Sequence, residues 1–196
     1  MLSRYRVRVL FYYYIIEGKL TKPTDMLSNV VFTQNGLVKL FSEIKYEINS
    51  VEIQRVKNPG VCSSLKAYCS YTPADINCLQ NAAWDDVSRN ENFVKDGSFS
   101  GCIPLKHVLG FAEDHQRVLI NCCQELILNR SNNDVISSLS LSAKGTETNV
   151  DWTKIKVEVT KIIWKVPVLK VNDREKLKLL KIIDSKKIKW LRDLKK

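Results

Sequence analysis

Between Val118 and Asn129 the chain reads with a period of two. Val118, Ile120, Cys122, Gln124, Leu126 and Leu128 fall on one face, and Leu119, Asn121, Cys123, Glu125, Ile127 and Asn129 on the other. Successive side chains of a strand point to opposite faces, so this run predicts a strand of roughly a dozen residues, about twice the usual length. The odd face mixes apolar with polar groups, as where one side of a sheet meets a second layer and the other a neighbour or water. Ser131-Asn132-Asn133-Asp134 predicts the turn that follows, because Asn and Asp tolerate left-handed backbone and hydrogen-bond their own main chain.

The same alternation predicts a strand from Val38 to Ile48, with Val38, Leu40, Ile44, Tyr46 and Ile48 on the buried face. Asn49-Ser50 breaks the run and Val51 to Val56 resumes it, which is the pattern of a hairpin. Asn58-Pro59-Gly60 ends that strand, and the period then changes to helical with Leu65, Tyr68 and Cys69. Thr72-Pro73-Ala74-Asp75 reads as a helix start, with Thr72 as cap and Asp75 at the acidic third position. Ile76, Leu79 and Ala83 would face inward on a short helix ending near Trp84, and Asp85 to Gly101 reads as a polar loop. Ile103 to Gly110 predicts one helical turn opened by Pro104 and closed by glycine.

Ser131 to Asn149 is mostly small and polar, and Trp152 to Val166 predicts another strand. Its apolar set moves from Ile155, Val157 and Val159 to Ile162, Trp164 and Val166, so a bulge is expected near Lys161, with Pro167 at an edge or exit. Asn172-Asp173-Arg174-Glu175 caps a last amphipathic helix carrying Leu177, Leu180 and Ile183. At the other end Arg4, Arg6 and Arg8 precede the apolar run Val9 to Ile16, loosely imitating a signal peptide. Glu17-Gly18-Lys19 offers no small-residue cleavage site, and the aromatic and β-branched content favours a strand whose tyrosines face a sheet surface. Strand runs joined by turns, with helices confined to connections, predict a mainly β fold, an antiparallel sandwich of jelly-roll type.

Composition narrows the chemistry. At 196 residues, 44% hydrophobic and 27% charged, the chain has enough sequence for one ordinary core, and no segment approaches the roughly 20 apolar residues that span a bilayer. Six cysteines at 62, 69, 78, 102, 122 and 123 form no C-x-x-C pair and stand with no histidine partner, so neither a metal nor a cofactor is expected; they read as reduced thiols acting as small apolar residues. Seven glycines form no phosphate-cradling loop, and the serines at 137 to 142 lie in no nucleophile elbow. Glu113-Asp114-His115 is the one dense acid and base grouping, and on a turn before a strand it reads as solvated or capping side chains. His107 reads as structural. No enzyme activity is expected.

Net charge is +10, and residues 161 to 196 hold 13 Lys and Arg against four Asp and Glu, so nearly all of the excess is carboxy-terminal. Lys186, Lys187, Lys189, Arg192, Lys195 and Lys196 are the candidate contacts to nucleic acid, with Trp190 the one stacking group among them; the alternative is a solvated helix face and tail.

Five segments stand in order along the chain: Glu43 to Gly60, Leu79-Gln80-Asn81-Ala82-Ala83-Trp84, Ile103-Pro104-Leu105-Lys106 leading to Leu109-Gly110-Phe111-Ala112-Glu113-Asp114, Glu125-Leu126-Ile127-Leu128 with Arg130-Ser131-Asn132, and Glu175-Lys176-Leu177 leading to Ile182. Together they resemble the double-jelly-roll major capsid proteins of Maverick or Polinton-type DNA elements and related viruses. The resemblance spans Asn35 to Ser185 and implies a first jelly roll over residues 35–171, after a poorly matched strand-forming segment 1–34 and before a basic helix and tail at 172–196. It also implies a structural role through subunit contacts, with trimers in an intact member, no membrane partner, and a place inside the cell or in a virion. A truncated or endogenous copy would account for the missing second jelly roll. The other reading, from the charge alone, is a monomeric basic module that binds nucleic acid through residues 161–196.

Overall fold

The computed structural model describes residues 12–21, 30–77, 79, 82, 84, 96–115, 119, 122–132, 139–141, 152–167 and 172–185. The chain divides into two units, Met1–Val166 and Pro167–Lys196. In the first, β1 (Tyr13–Thr21), β2 (Val30–Phe32), β3 (Phe41–Ile48), β4 (Val51–Lys57), β5 (Ser98–Pro104), β6 (Gln124–Arg130), β7 (Leu139–Leu141) and β8 (Lys156–Lys165) form three antiparallel sheets, ordered β5-β1-β8, β2-β7 and β4-β3-β6. Short helices fill the connections: α1 (Gly36–Lys39), α2 (Pro59–Ser70), α3 (Pro73–Asn77), α4 (Leu105–Val108) and α5 (Gly110–Asp114). This is the mainly β, antiparallel jelly-roll sandwich expected from the alternation.

The amino-terminal run is a central strand. Tyr14, Ile16 and Leu20 are buried, and β1 is hydrogen-bonded to β5 on one side and β8 on the other. The tyrosines do not all face a sheet surface as the pattern suggested, because Tyr14 is fully buried and packs edge-on against Phe41 of β3, 6.2 Å between centroids. Gly18 lets Phe99 of β5 cross the strand; a Cβ there would stand 2.4 Å from the Phe99 ring. Phe99 in turn meets Phe32 of β2 edge-on at 5.0 Å. Those aromatic contacts, with Ile44, Ile103, Leu105 and Val157, draw the sheets into one core.

The expected bulge is present. Glu17 pairs with Lys161 but Gly18 with Val159, so Thr160 is the extra residue, and its hydroxyl donates to the Glu17 carbonyl. The hairpin is also as read: Asn49 (φ 50°) and Ser50 (φ 61°) both take left-handed backbone, the form that matches strand twist in a two-residue turn. Thr72 and Asp75 form the reciprocal cap at α3, the Thr72 amide and hydroxyl both donating to the Asp75 carboxylate.

Five expectations on boundaries need correction. The strand expected from Val38 begins at Phe41, because buried Asn35 (φ 61°) turns the chain into α1 and its carbonyl accepts the Val38 amide. The dozen-residue strand at Val118–Asn129 begins at Gln124: β3, its partner, ends with Ile48 opposite Gln124, and Asn49 then binds both the amide and the carbonyl of Cys123. Residues 116–118, 120 and 121 lie outside the described ones. Ser98–Gly101 belongs to β5 rather than to a loop, since β1 offers it a partner, and β7 lies within the segment read as small and polar, paired with β2. The helical turn at 105–108 is present, but Ile103 and Pro104 end β5, and Gly110 opens α5 instead of closing the helix.

Among the described residues of the second unit the one element is α6 (Asp173–Ser185). Asn172 accepts the Lys176 amide at its start, and Lys178 pairs with Glu175 at 2.7 Å. Leu177 is exposed, while the side chains of Leu180 and Ile183 lie outside the described ones.

Candidate functional site

Two features stand out on the first unit, one on its surface and one inside. The surface feature is α2. Its Asn58 takes the left-handed backbone that opens the helix, Pro59 follows in the first turn, and Gly60 lies so close to Lys39 of α1 that a Cβ would meet its side chain at 2.4 Å. The inner face is small and polar, with Pro59, Gly60, Ser63 and Ala67 buried. The outer face carries the apolar residues: Val61 is 58% exposed, Leu65 61% and Tyr68 70%. Helical spacing was legible there, but it marks the side turned to water. Cys62 and Cys69 share that exposure as thiols.

Beneath α2 lies a buried polar cluster. Asn35 and His107 are buried to within 1% of completely, as is Ser63. The Asn35 amide nitrogen donates to Ser63 Oγ at 2.7 Å, with the Gly60 carbonyl and Ser64 Oγ each at 3.2 Å. Its oxygen faces His107 Nε2 at 3.3 Å, and His107 Nδ1 lies 3.1 Å from the Tyr71 hydroxyl. Trp84 sits at right angles to the His107 ring, 5.5 Å away. Burial, and secondarily the Lys66 ammonium, push the His107 pKa down to about 4. Burial also raises the Tyr71 phenol to about 12. His107 is structural, as its sequence context suggested, but its partners lie 36 and 72 positions away and no local pattern announces them.

The other candidate groups do not converge. Glu113 accepts from Lys66 of α2 at 2.5 Å, whereas His115 stacks on Phe111 at 5.0 Å, so the acid and base run at 113–115 is pulled apart. Among the described residues no three His, Cys, Asp or Glu side chains gather as a metal site, and no described helix is long and apolar enough to cross a membrane. The candidate cations Lys186, Lys187, Lys189, Arg192, Lys195 and Lys196 lie outside the described residues.

The family model of the double jelly roll-like domain matches residues 30–191, more than four fifths of the chain. The chain belongs to the double jelly roll-like domain family. Membership joins the sandwich to a capsid-type structural fold, in a family that is structural rather than enzymatic. No curated protein and no solved structure matches the chain. In this double jelly roll-like domain the match begins at β2, so β1, the middle strand of its sheet, precedes the matched region.

Proposed function

We propose that the chain is a capsid-type structural subunit, an endogenous major capsid protein of the Maverick or Polinton kind, acting through contacts between copies of itself. The observation that carries this reading is the outer face of α2, where a structural fold leaves Val61, Leu65 and Tyr68 in a row facing water. Fully covering such side chains stabilises by about 2 kcal/mol each. Two faces brought together therefore gain on the order of 10 kcal/mol. Association itself costs about 4–15 kcal/mol, so α2 alone supports a weak, concentration-dependent contact and larger assemblies recruit further surface. The six carboxy-terminal cations serve this subunit as contacts to packaged nucleic acid.

Sedimentation velocity over a concentration series tests the assembly. The chain is expected to form trimers or larger species, and Leu65→Glu to return it to monomer without lowering its melting temperature, because Leu65 lies outside the core. A wild-type chain that stays monomeric at the highest concentrations sinks the assembly. If that monomer is nonetheless retained on a polyanion, the basic binding module is the better account.

A further inference from the structure

The cluster beneath α2 holds His107 as a buried ring that burial and the Lys66 ammonium keep neutral. Asn35 Nδ2 faces three oxygens, so Asn35 Oδ1 is the atom turned toward His107 Nε2, which must then carry the proton and donate. His107 Nδ1 is left as an acceptor for the Tyr71 hydroxyl. Ser63 passes the chain on by donating to the Pro59 carbonyl at 2.7 Å. One line of hydrogen bonds thus joins the turn before α1, the first turn of α2, the residue after α2 and the buried side of α4.

We propose that the Asn35–His107–Tyr71 line is an acid-released latch that clamps α1 and α2 to α4, opening this helical layer while the sheets remain folded. Protonation places a second donor on the ring, so the Tyr71 hydroxyl, which donated to Nδ1, has to swing its proton outward and accept instead, and the line then holds a buried charge. The new charge also lies in a poor place. Lys66 of α2 is the charge that opposes protonation of the ring, and the other charged side chains on α4 and α1, Lys106 and Lys39, are cationic as well. Of the described acids, Glu113 on α5 is engaged with Lys66, and Asp75 on α3 is held by the Thr72 amide and hydroxyl.

The direction follows from linkage. His107 has a lower pKa in the folded chain than its ordinary 6.5, so its contribution is whole above pH 6.5 and is lost as pH falls through about 4. Across that window the equilibrium for opening is expected to rise by up to roughly 300-fold. The latch is a property of the single folded chain and stands whether or not copies assemble.

The test is NMR on the full chain, in which only His107 and His115 contribute imidazole signals. His107 is expected to show the Nε2–H tautomer at pH 7 and a midpoint well below 6. Amide exchange of Leu65, Lys66 and Ala67 in α2, corrected for intrinsic rates, should accelerate as His107 protonates, while Ile16 in β1 and Ile44 in β3 stay protected. His107→Gln, which keeps a donor and an acceptor, should abolish the acid step. Lys66→Met removes the cation that opposes charge on the ring and should raise the midpoint. Should the Gln variant fail to fold, the Met variant decides. The latch is overturned if His107 titrates near 6.5, if α2 and sheet amides open together, if the acid step persists in His107→Gln, or if the Lys66→Met midpoint does not rise.

Discussion

Tyr14 carries its hydroxyl into the middle of the core, where it meets no hydrogen-bond partner. Burial drives its pKa far above the ordinary phenol value, since an anion there would have neither water nor a donor. Leaving a hydroxyl buried and unsatisfied costs about 1–3 kcal/mol. The ring itself is well placed, edge-on to Phe41, so the aromatic body stabilises what the oxygen offsets. Tyr14→Phe keeps the ring and removes the oxygen, and urea unfolding should show a gain of about 1 kcal/mol. A loss of that size would mean that the hydroxyl is satisfied in solution. Trp84 and Trp164 also bury an indole N–H without a partner, but no natural side chain matches indole without its donor, so only Tyr14 offers this clean comparison.

At the scale of elements, what was legible depended on whether a segment carries its own instructions. The β3–β4 hairpin does: Asn49-Ser50 between alternating runs fixes the turn, and left-handed backbone at both positions follows from the two-residue loop. The bulge at Thr160 was legible for the same reason, since an extra residue shifts the apolar phase and leaves its mark in the strand itself. The start of β6 was not, because it is set by where β3 stops and not by alternation within β6. The three-residue β2 and β7 are too short to establish a period and exist by pairing with each other. The turn supplies the test. Ser50 bears a Cβ at φ 61°, a conformation costing roughly 1 kcal/mol outside glycine. Ser50→Gly should therefore raise the thermal midpoint by a few degrees, less the entropy that glycine adds to the unfolded chain. Asn49→Ala should lower it, because the Asn49 side chain accepts the Cys123 amide at 2.9 Å and ties the hairpin to the start of β6.

For the molecule as a whole, the capsid-type fold was legible from ordered segments spread over most of the chain, whereas the Asn35–His107 cluster was not, because four dispersed polar residues meet only after the sheets have folded. Charge asymmetry shows at this scale too. Residues 161–196 hold all but one unit of the net charge, an arrangement that affects partners more than packing. If the last six cations bind nucleic acid, each phosphate they neutralise releases about 0.7 of a counterion from a single strand, and six together give a salt slope of roughly −4. Fluorescence anisotropy with a labelled oligonucleotide between 50 and 200 mM salt measures that slope. Ending the chain at Ser185 should flatten it nearly to zero and leave the melting of the sandwich unchanged, since the deleted residues lie wholly in the second unit. An unchanged slope would move the contact away from Lys186–Lys196, to the lysines of β8 or α6. Loss of both binding and thermal stability would instead make the basic end part of the fold, and its charge would then say nothing about a partner.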